Sequence, residues 1–314
     1  MNDIEDIKAL LNRIAKALET IADYLNDKQV ARSKENKDAF DSLSSVETDK
    51  NKFVNDFSEI EEFLNSKNIR IKSIKEEEES DEILDKIALF MGDRYSHIKN
   101  LYQHIKRDLN KGRSFTLDLR NHKQEEIASI TQLCSNLHQI AFLEEYKYYK
   151  SPKYTLYAKV NRIPKAINFF TGGWLERYVK SAVIEAIKSI SHPIPVNYSY
   201  LKNPQIILPN GDNFELDIIF KIEDEYFWFE AKTGDYQRYI DKYSKVAEIL
   251  KLDYEHAYMI LTDITEAGAK ALFSLFKMSV IRIDDFYETF KEAIQHLKPQ
   301  PEEELGSDEQ NNEL

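Results

Sequence analysis

Asn213-Phe214-Glu215-Leu216-Asp217-Ile218-Ile219-Phe220, a short acidic turn, and Tyr226-Phe227-Trp228-Phe229-Glu230-Ala231-Lys232-Thr233-Gly234 decide how this chain is read. Both runs are rich in aromatic and β-branched residues, and both have the length of strands. Side chains two apart on a strand point to the same face. Glu230 and Lys232 therefore stand side by side, with Ala231 turned the other way into a core. Asp217 comes from the neighbouring strand and can reach the same point. Two carboxylates and an ammonium converging at a strand end can hold a divalent cation and organise a water, the chemistry that phosphodiester hydrolysis needs.

Working outward, Gly172-Gly173-Trp174-Leu175-Glu176 opens an apolar-periodic run (Val179, Val183, Ile184, Ile187) that predicts a helix over Trp174–Ile190. Strands are then expected near Pro204–Leu208, Phe214–Phe220 and Tyr226–Lys232. A helix over Tyr236–Leu250 and a strand over Ala257–Thr262 follow. The order helix, strand, strand, strand, helix, strand predicts a mixed sheet flanked by helices, an α/β core in a chain that is α+β overall. A helix at Glu266–Met278, a strand at Val280–Ile283 and a helix at Phe286–Leu297 extend it. Trp174 is read as core rather than as a stacking platform.

Helix acid, Glu-Leu-Asp217 and Glu230-Ala231-Lys232, taken together, resemble the PD-(D/E)xK nuclease superfamily, with a restriction-endonuclease-like fold. The first motif reads Glu-Leu-Asp rather than Pro-Asp. The whole pattern is most similar to the nuclease domain of CRISPR-associated CARF-fused nucleases, over roughly residues 80–298. The resemblance implies that Asp217 and Glu230 bind Mg2+ or Mn2+, that Glu176 joins them directly or through water, and that the Ala231 carbonyl is an additional ligand. Lys232 would orient the attacking water and neutralise charge on phosphorus. Tyr236 and Gln237, ahead of the next helix, are further candidates. It also implies an endonuclease that prefers DNA, with RNA as a second substrate, acting in prokaryotic anti-phage defence. Each motif residue also has a plainer role: Glu-x-Lys as a surface pair, Asp217 as a strand-end cap, Glu176 as a first-turn acid favoured by the helix dipole.

Those nucleases carry an N-terminal α/β domain that binds cyclic oligoadenylate, and residues 1–80 show no βαβ pattern to match it. Instead Ile4, Ile7, Leu11, Ile14, Leu18, Ile21 and Leu25 are spaced alternately three and four apart, a heptad seam. Leu at most a positions with Ile at d shifts the preference away from two strands towards trimers or tetramers. Residues 1–28 are accordingly expected to form an oligomerising coiled coil acting through residues 4–25, with a tetramer favoured, and 29–52 a flexible linker. Activation is then expected to come through assembly or through a partner protein of the defence system.

Residues 53–165 read as a helical, winged-helix-like domain: helices over Phe53–Leu64, Ile83–Met91, Ile98–Leu109 and Gln124–Leu137, then a hairpin across Ser151-Pro152-Lys153. The basic cluster Lys106, Arg107, Lys111 and Arg113 is a candidate phosphate contact. Residues 166–298 are the nuclease-like domain, and 299–314 an acidic, disordered tail.

The 314 residues carry a net charge of −12. Residues 1–80 and 299–314 hold about −6 each, so the body between is near neutral and composition neither supports nor excludes nucleic acid. One cysteine, Cys134, excludes an internal disulfide and fits a reducing cytoplasm. No apolar run approaches the ~20 residues of a membrane span. No HExxH argues for zinc, and no GxxxxGK[ST], GxGxxG or GxSxG argues for nucleotide or acyl chemistry. The rival to a nuclease is a non-catalytic, nucleic-acid-binding assembly subunit that retains the fold.

Overall fold

The computed structural model describes residues 56–75, 78, 81–192, 194–234, 236–276 and 278–298. The heptad seam, the linker and the acidic tail expected from sequence lie outside the described residues.

Five strands form the central sheet: β5 (Tyr198–Lys202), β8 (Ile218–Ile222), β9 (Glu225–Lys232), β10 (Ala257–Leu261) and β11 (Ser279–Arg282), in the order β11-β10-β9-β8-β5. β5, β8 and β9 run antiparallel to one another, while β9, β10 and β11 are parallel. The parallel half needs helical crossovers, and the chain supplies them as α7 (Ile240–Leu250) and α8 (Glu266–Leu275). The fold is thus a mixed sheet flanked by helices, as the alternation of strand and helix patterns predicts.

The sheet buries both faces. On β9, Phe227, Phe229 and Ala231 point into one core with Ile218, Phe220, Tyr258 and Phe290. That core is closed by α2 (Asp81–Asp93), α3 (Tyr95–Leu109), α4 (Gln124–Gln139), α5 (Pro164–Asn168), α6 (Trp174–Ile190) and α9 (Ile283–Ala293), while α1 (Ser58–Ser66) packs into the core of the other face. Trp228 points to the other face, against Phe214 and Tyr243, under α7. Glu230 and Lys232 share the parity of Trp228, so the period of two carries them from the core to the end of the α7 face.

Three differences from the sequence reading matter. The strand that pairs with β8 is Tyr198–Lys202, not 204–208. Residues 205–207 form β6 (Gln205–Ile207), which joins β7 (Asn213–Glu215) and β1 (Arg70–Ser73) in a separate small sheet. The run expected as one strand over 214–220 is therefore two strands in two sheets, broken at Leu216-Asp217. Leu216 is buried there beneath the small sheet, and the main-chain N–H of Asn203 donates to the Asp217 carbonyl at 2.9 Å. The break turns Asp217 out of the ladder and into the strand end.

The helical region also has more sheet than its sequence announces. β2 (Ser114–Asp118) pairs with β4 (Thr155–Val160), which pairs with β3 (Leu143–Tyr149), so three strands stand where a two-stranded wing was expected. β2 lies between α3 and α4, so a strand separates helices that the winged-helix reading set in sequence. Nor does packing divide at residue 165. One apolar core runs from Leu84 to Ile294. Gly92 of α2 lies against Tyr178 of α6 so closely that an added Cβ would fall 2.0 Å from its ring. Arg177 on α6 clasps α2 through Asp81 at 2.5 Å and Asp85 at 2.7 Å, and Lys180 reaches Asp85 at 2.6 Å.

Candidate active site

The charged cluster forms where β8 begins and β9 ends. Antiparallel pairing of Ile218 with Phe229 sets Asp217 opposite Glu230, one step further on. Asp217 Oδ2 accepts from the Ala231 amide at 2.8 Å and from Lys232 Nζ at 3.0 Å. Lys232 Nζ also lies 2.5 Å from Glu230 Oε1. The ammonium thus bridges two carboxylates from adjacent strands and stacks 5.3 Å above the Tyr243 ring of α7.

Burial makes this arrangement costly. Asp217 is 4% and Glu230 1% exposed. Desolvation raises the Asp217 carboxyl above its ordinary range, against the attraction of Lys232. Desolvation together with Asp217 raises Glu230 well above it. For Lys232, burial works against the charge, but Glu230 and Asp217 outweigh it and the pKa goes up, so the side chain stays an ammonium. The Tyr243 hydroxyl is pushed up by burial and by Glu230. Glu230 Oε2 is fully buried and has no hydrogen-bond partner. A buried carboxylate oxygen left without a donor costs roughly 1–3 kcal/mol or more, so this atom is the anomaly of the site.

Glu176 reaches the cluster from the opposite layer. It stands in the first turn of α6, whose entry is the tight stretch Phe169–Gly173. There a Cβ on Gly173 would lie 3.1 Å from the Asn168 carbonyl. Glu176 Oε2 accepts from Asn203 Nδ2 at 3.0 Å. Burial, then Asp217, raises its pKa. Among the described residues, no three His, Cys, Asp or Glu side chains converge closely enough to hold a metal ion as they stand.

Asn203 is the residue that sequence reasoning missed. It has a left-handed backbone (φ 50°), holds Glu176 by its side chain and Asp217 by its amide, and approaches Glu215 Oε1 at 3.5 Å. Its sole sequence signal is Asn before Pro204, a turn pattern. Gln205 bonds the other oxygen of Glu215. Beside Asn203, Lys202 is pushed down to about 8, by burial first and by Arg177 second. Gln205, Asn213, Glu215 and Lys242 line a cleft of 280 Å3 that opens onto Asp217, Glu230 and Lys232.

The remaining sequence candidates are dispersed. Lys106 donates to the Thr233 carbonyl at 2.5 Å and is half-buried, which anchors the turn after β9 to α3. Arg107 is taken up by Asp108 at 2.6 Å. Lys111 and Arg113 are exposed beyond the end of α3, so the four cations do not act as one patch. Gln237 is exposed, and Tyr236 packs against the α7-side core. Trp174 is fully buried, stacked on Tyr95 at 5.8 Å.

No family profile matches the sequence, and no curated protein matches it. Among solved structures, the chain is similar to protein VC1899 from Vibrio cholerae, at 16% identity and a TM-score of 0.49. It is equally similar in fold to Can2 from Sulfobacillus thermosulfidooxidans in complex with cyclic tetra-adenylate, at 14% identity and a TM-score of 0.49. Each match covers 76% of this chain and 61% of the other. Likeness at this level fixes neither family nor activity.

Proposed function

We propose that this protein is a metal-dependent endonuclease with a preference for DNA. The observation that carries the reading is Glu230 Oε2, buried and unpartnered beside Asp217 at the mouth of an open cleft. A buried, unsatisfied carboxylate oxygen calls for an explanation, and a bound cation would supply one. The donor set fits a hard divalent ion, Mg2+ or Mn2+: carboxylate oxygens, with no thiolate or imidazole beside them among the described residues.

Asp217 and Glu230 would hold the ion, with the Ala231 carbonyl as an additional ligand and Glu176 acting through water. Such an ion supplies Lewis acidity toward a phosphoryl oxygen and lowers the pKa of bound water. The chain's own part is electrostatic and positional. Lys232, kept charged by its two carboxylates, offers a donor and a positive charge where the phosphorus gathers negative charge. Asn203 fixes Glu176 and the Asp217 backbone in one frame. Lys202 and Lys242 add positive charge near the cleft. Anti-phage defence as the setting, and assembly or a partner protein as the activator, rest on the sequence resemblance alone.

The test is cleavage of plasmid, linear duplex, single-stranded DNA and RNA with Mg2+ or Mn2+ against EDTA. Mn2+ binding is followed in parallel by calorimetry. Metal-dependent DNA cutting that Asp217→Asn removes is expected. No cutting and no Mn2+ binding would favour the rival reading, a nucleic-acid-binding assembly subunit in which the Lys232 bridge is permanent.

A further inference from the structure

β3 is an edge strand of the β2-β4-β3 sheet, and among the described residues no strand pairs with its outer side. It is seven residues long and holds neither proline nor glycine, so its outward main-chain N–H and C=O groups form a template for another strand. The register with β4 sorts its side chains. Tyr146 and Tyr148 stand opposite the buried Ala158 and Leu156, on the face that α4 covers, and the Tyr146 hydroxyl donates to the Thr131 carbonyl at 3.2 Å. Glu145, Lys147 and Tyr149 stand opposite Lys159, Tyr157 and Thr155, on the other face.

The charges along the strand are ordered. Acids come first and lysines last in Glu144-Glu145-Tyr146-Lys147-Tyr148-Tyr149-Lys150. Glu144 is engaged with Lys159 at 2.8 Å. Glu145 and Lys147 form no ion pair among the described residues. A lysine alone on an edge strand keeps a second strand away. An acid two places before it, on the same face, makes the strand complementary to its own reverse. When a second copy lies antiparallel with Tyr146 on the two-fold axis, Glu145 of each chain faces Lys147 of the other. Directly opposed side chains of opposite charge stabilise a strand pair, and like charges destabilise it. Centring the axis on Lys147 instead would set lysine against lysine. A two-fold at Tyr146, perpendicular to the sheet, also keeps both α4 helices on one face. On that face α4 and β3 border a concavity of 1010 Å3, to which the helix brings Ala128, Thr131, Gln132 and Ser135. Side chains of that size leave room for the second helix.

We propose that this protein self-associates through β3, two copies joining their three-stranded sheets into one of six strands, with a Glu145–Lys147 pair on each side of the axis. None of these residues lines the carboxylate cleft, so the pairing stands or falls independently of the nuclease reading. It is also distinct from assembly through residues 4–25.

The test uses the full chain carrying Tyr146→Cys, oxidised in dilute native solution with copper phenanthroline and run on a non-reducing gel. Opposed Cα atoms of an antiparallel pair lie about 4.5–5.5 Å apart, within the reach of a disulfide. The native Cys134 is fully buried, so wild type is the control without cross-linking. Tyr146→Cys should yield a covalent dimer. Tyr254→Cys, at a tyrosine 49% exposed elsewhere on the surface, reports chance collision and should cross-link far more slowly. Adding Glu145→Lys or Lys147→Glu to Tyr146→Cys sets like charges opposite each other twice and should slow cross-linking about tenfold, and adding both should restore it. Circular dichroism and melting curves confirm that the variants are folded. Should Tyr146→Cys fail to fold, the charge variants are read on the native chain by sedimentation velocity, where each single exchange should weaken association about tenfold and the double exchange should recover it. Cross-linking no faster than at residue 254 overturns the proposal. So does association indifferent to the single exchanges, or a double exchange that fails to recover.

Discussion

The two ends of strand β9 each hold a carboxylate against nitrogen groups, and they are put together in opposite ways. At the start, Glu225 is one-third exposed, and both its oxygens are taken: His296 Nε2 at 2.9 Å and His256 Nε2 at 3.2 Å. Although partial burial opposes it, the histidines hold its carboxyl below the usual range. At the far end, Glu230 is buried, has one oxygen on Lys232 and the other on nothing, and its carboxyl is pushed up. A satisfied, solvated carboxylate ties elements together. A buried, half-satisfied one stores free energy that a bound cation would release. The strand is built as a clamp at one end and a candidate site at the other.

The sharpest break of that comparison is to neutralise the site end. Asp217→Asn and Glu230→Gln should each lower cleavage by at least 10^2–10^3-fold, the scale of losing one directed electrostatic contact. Their melting temperatures should stay level or rise, because an amide removes a buried charge whose desolvation opposed folding. Turnover and melting curves on the same preparations check both halves. A large fall in stability with activity retained would make Glu230 a structural ion like Glu225.

A smaller effect is expected at Asn203, which touches no reacting atom in the proposed scheme. Asn203→Ala frees Glu176 Oε2 and should cost about 10–100-fold in activity or metal affinity, the range for residues that orient ligands. Asn203→Asp would set a carboxylate against Glu176 and should do worse than alanine. If both variants cut normally, Glu176 has no part in the site, and the contrast narrows to Asp217, Glu230 and Lys232.

How much of this could be read from the chain depends on the range of the interactions. Glu230 and Lys232 on one face follow from the period of two within one strand, and the hairpin register then brings Asp217 across. Those are local facts. The identity of the strand beside β8 is not local. Tyr198–Lys202 and 205–207 both carry strand-forming residues, and only the long-range pairing of Tyr200 with Phe220 decides which joins the central sheet. Asn203 was illegible for the same reason, since its partners Glu176 and Asp217 lie 27 and 14 positions away. The lysine at 106 looked like a surface cation because helical spacing cannot show that Thr233, 127 residues on, presents a carbonyl to it.

The gentlest perturbation is at the clamp. His256 Nδ1 lies 2.7 Å from Asp253 Oδ1 and its Nε2 faces Glu225, so protonation places it between two acids. Burial opposes the charge, but Asp253 and Glu225 outweigh it and raise the pKa above the ordinary 6.5. A raised folded-state pKa stabilises the protein fully below the unfolded value and loses that contribution as pH climbs through the folded one. His256→Gln keeps an amide donor and removes the titration. The variant should therefore be less stable than wild type at pH 5.5, by no more than about 1 kcal/mol for a partly exposed pair. The difference should shrink as the pH is raised past 7 towards 8.5. Cleavage measured at a fixed pH and temperature well below melting should be unchanged. Urea melts across that pH range read the first expectation, and turnover reads the second. A gap that widens with pH, or a variant that cuts poorly, would mean that the two ends of β9 are coupled rather than separate.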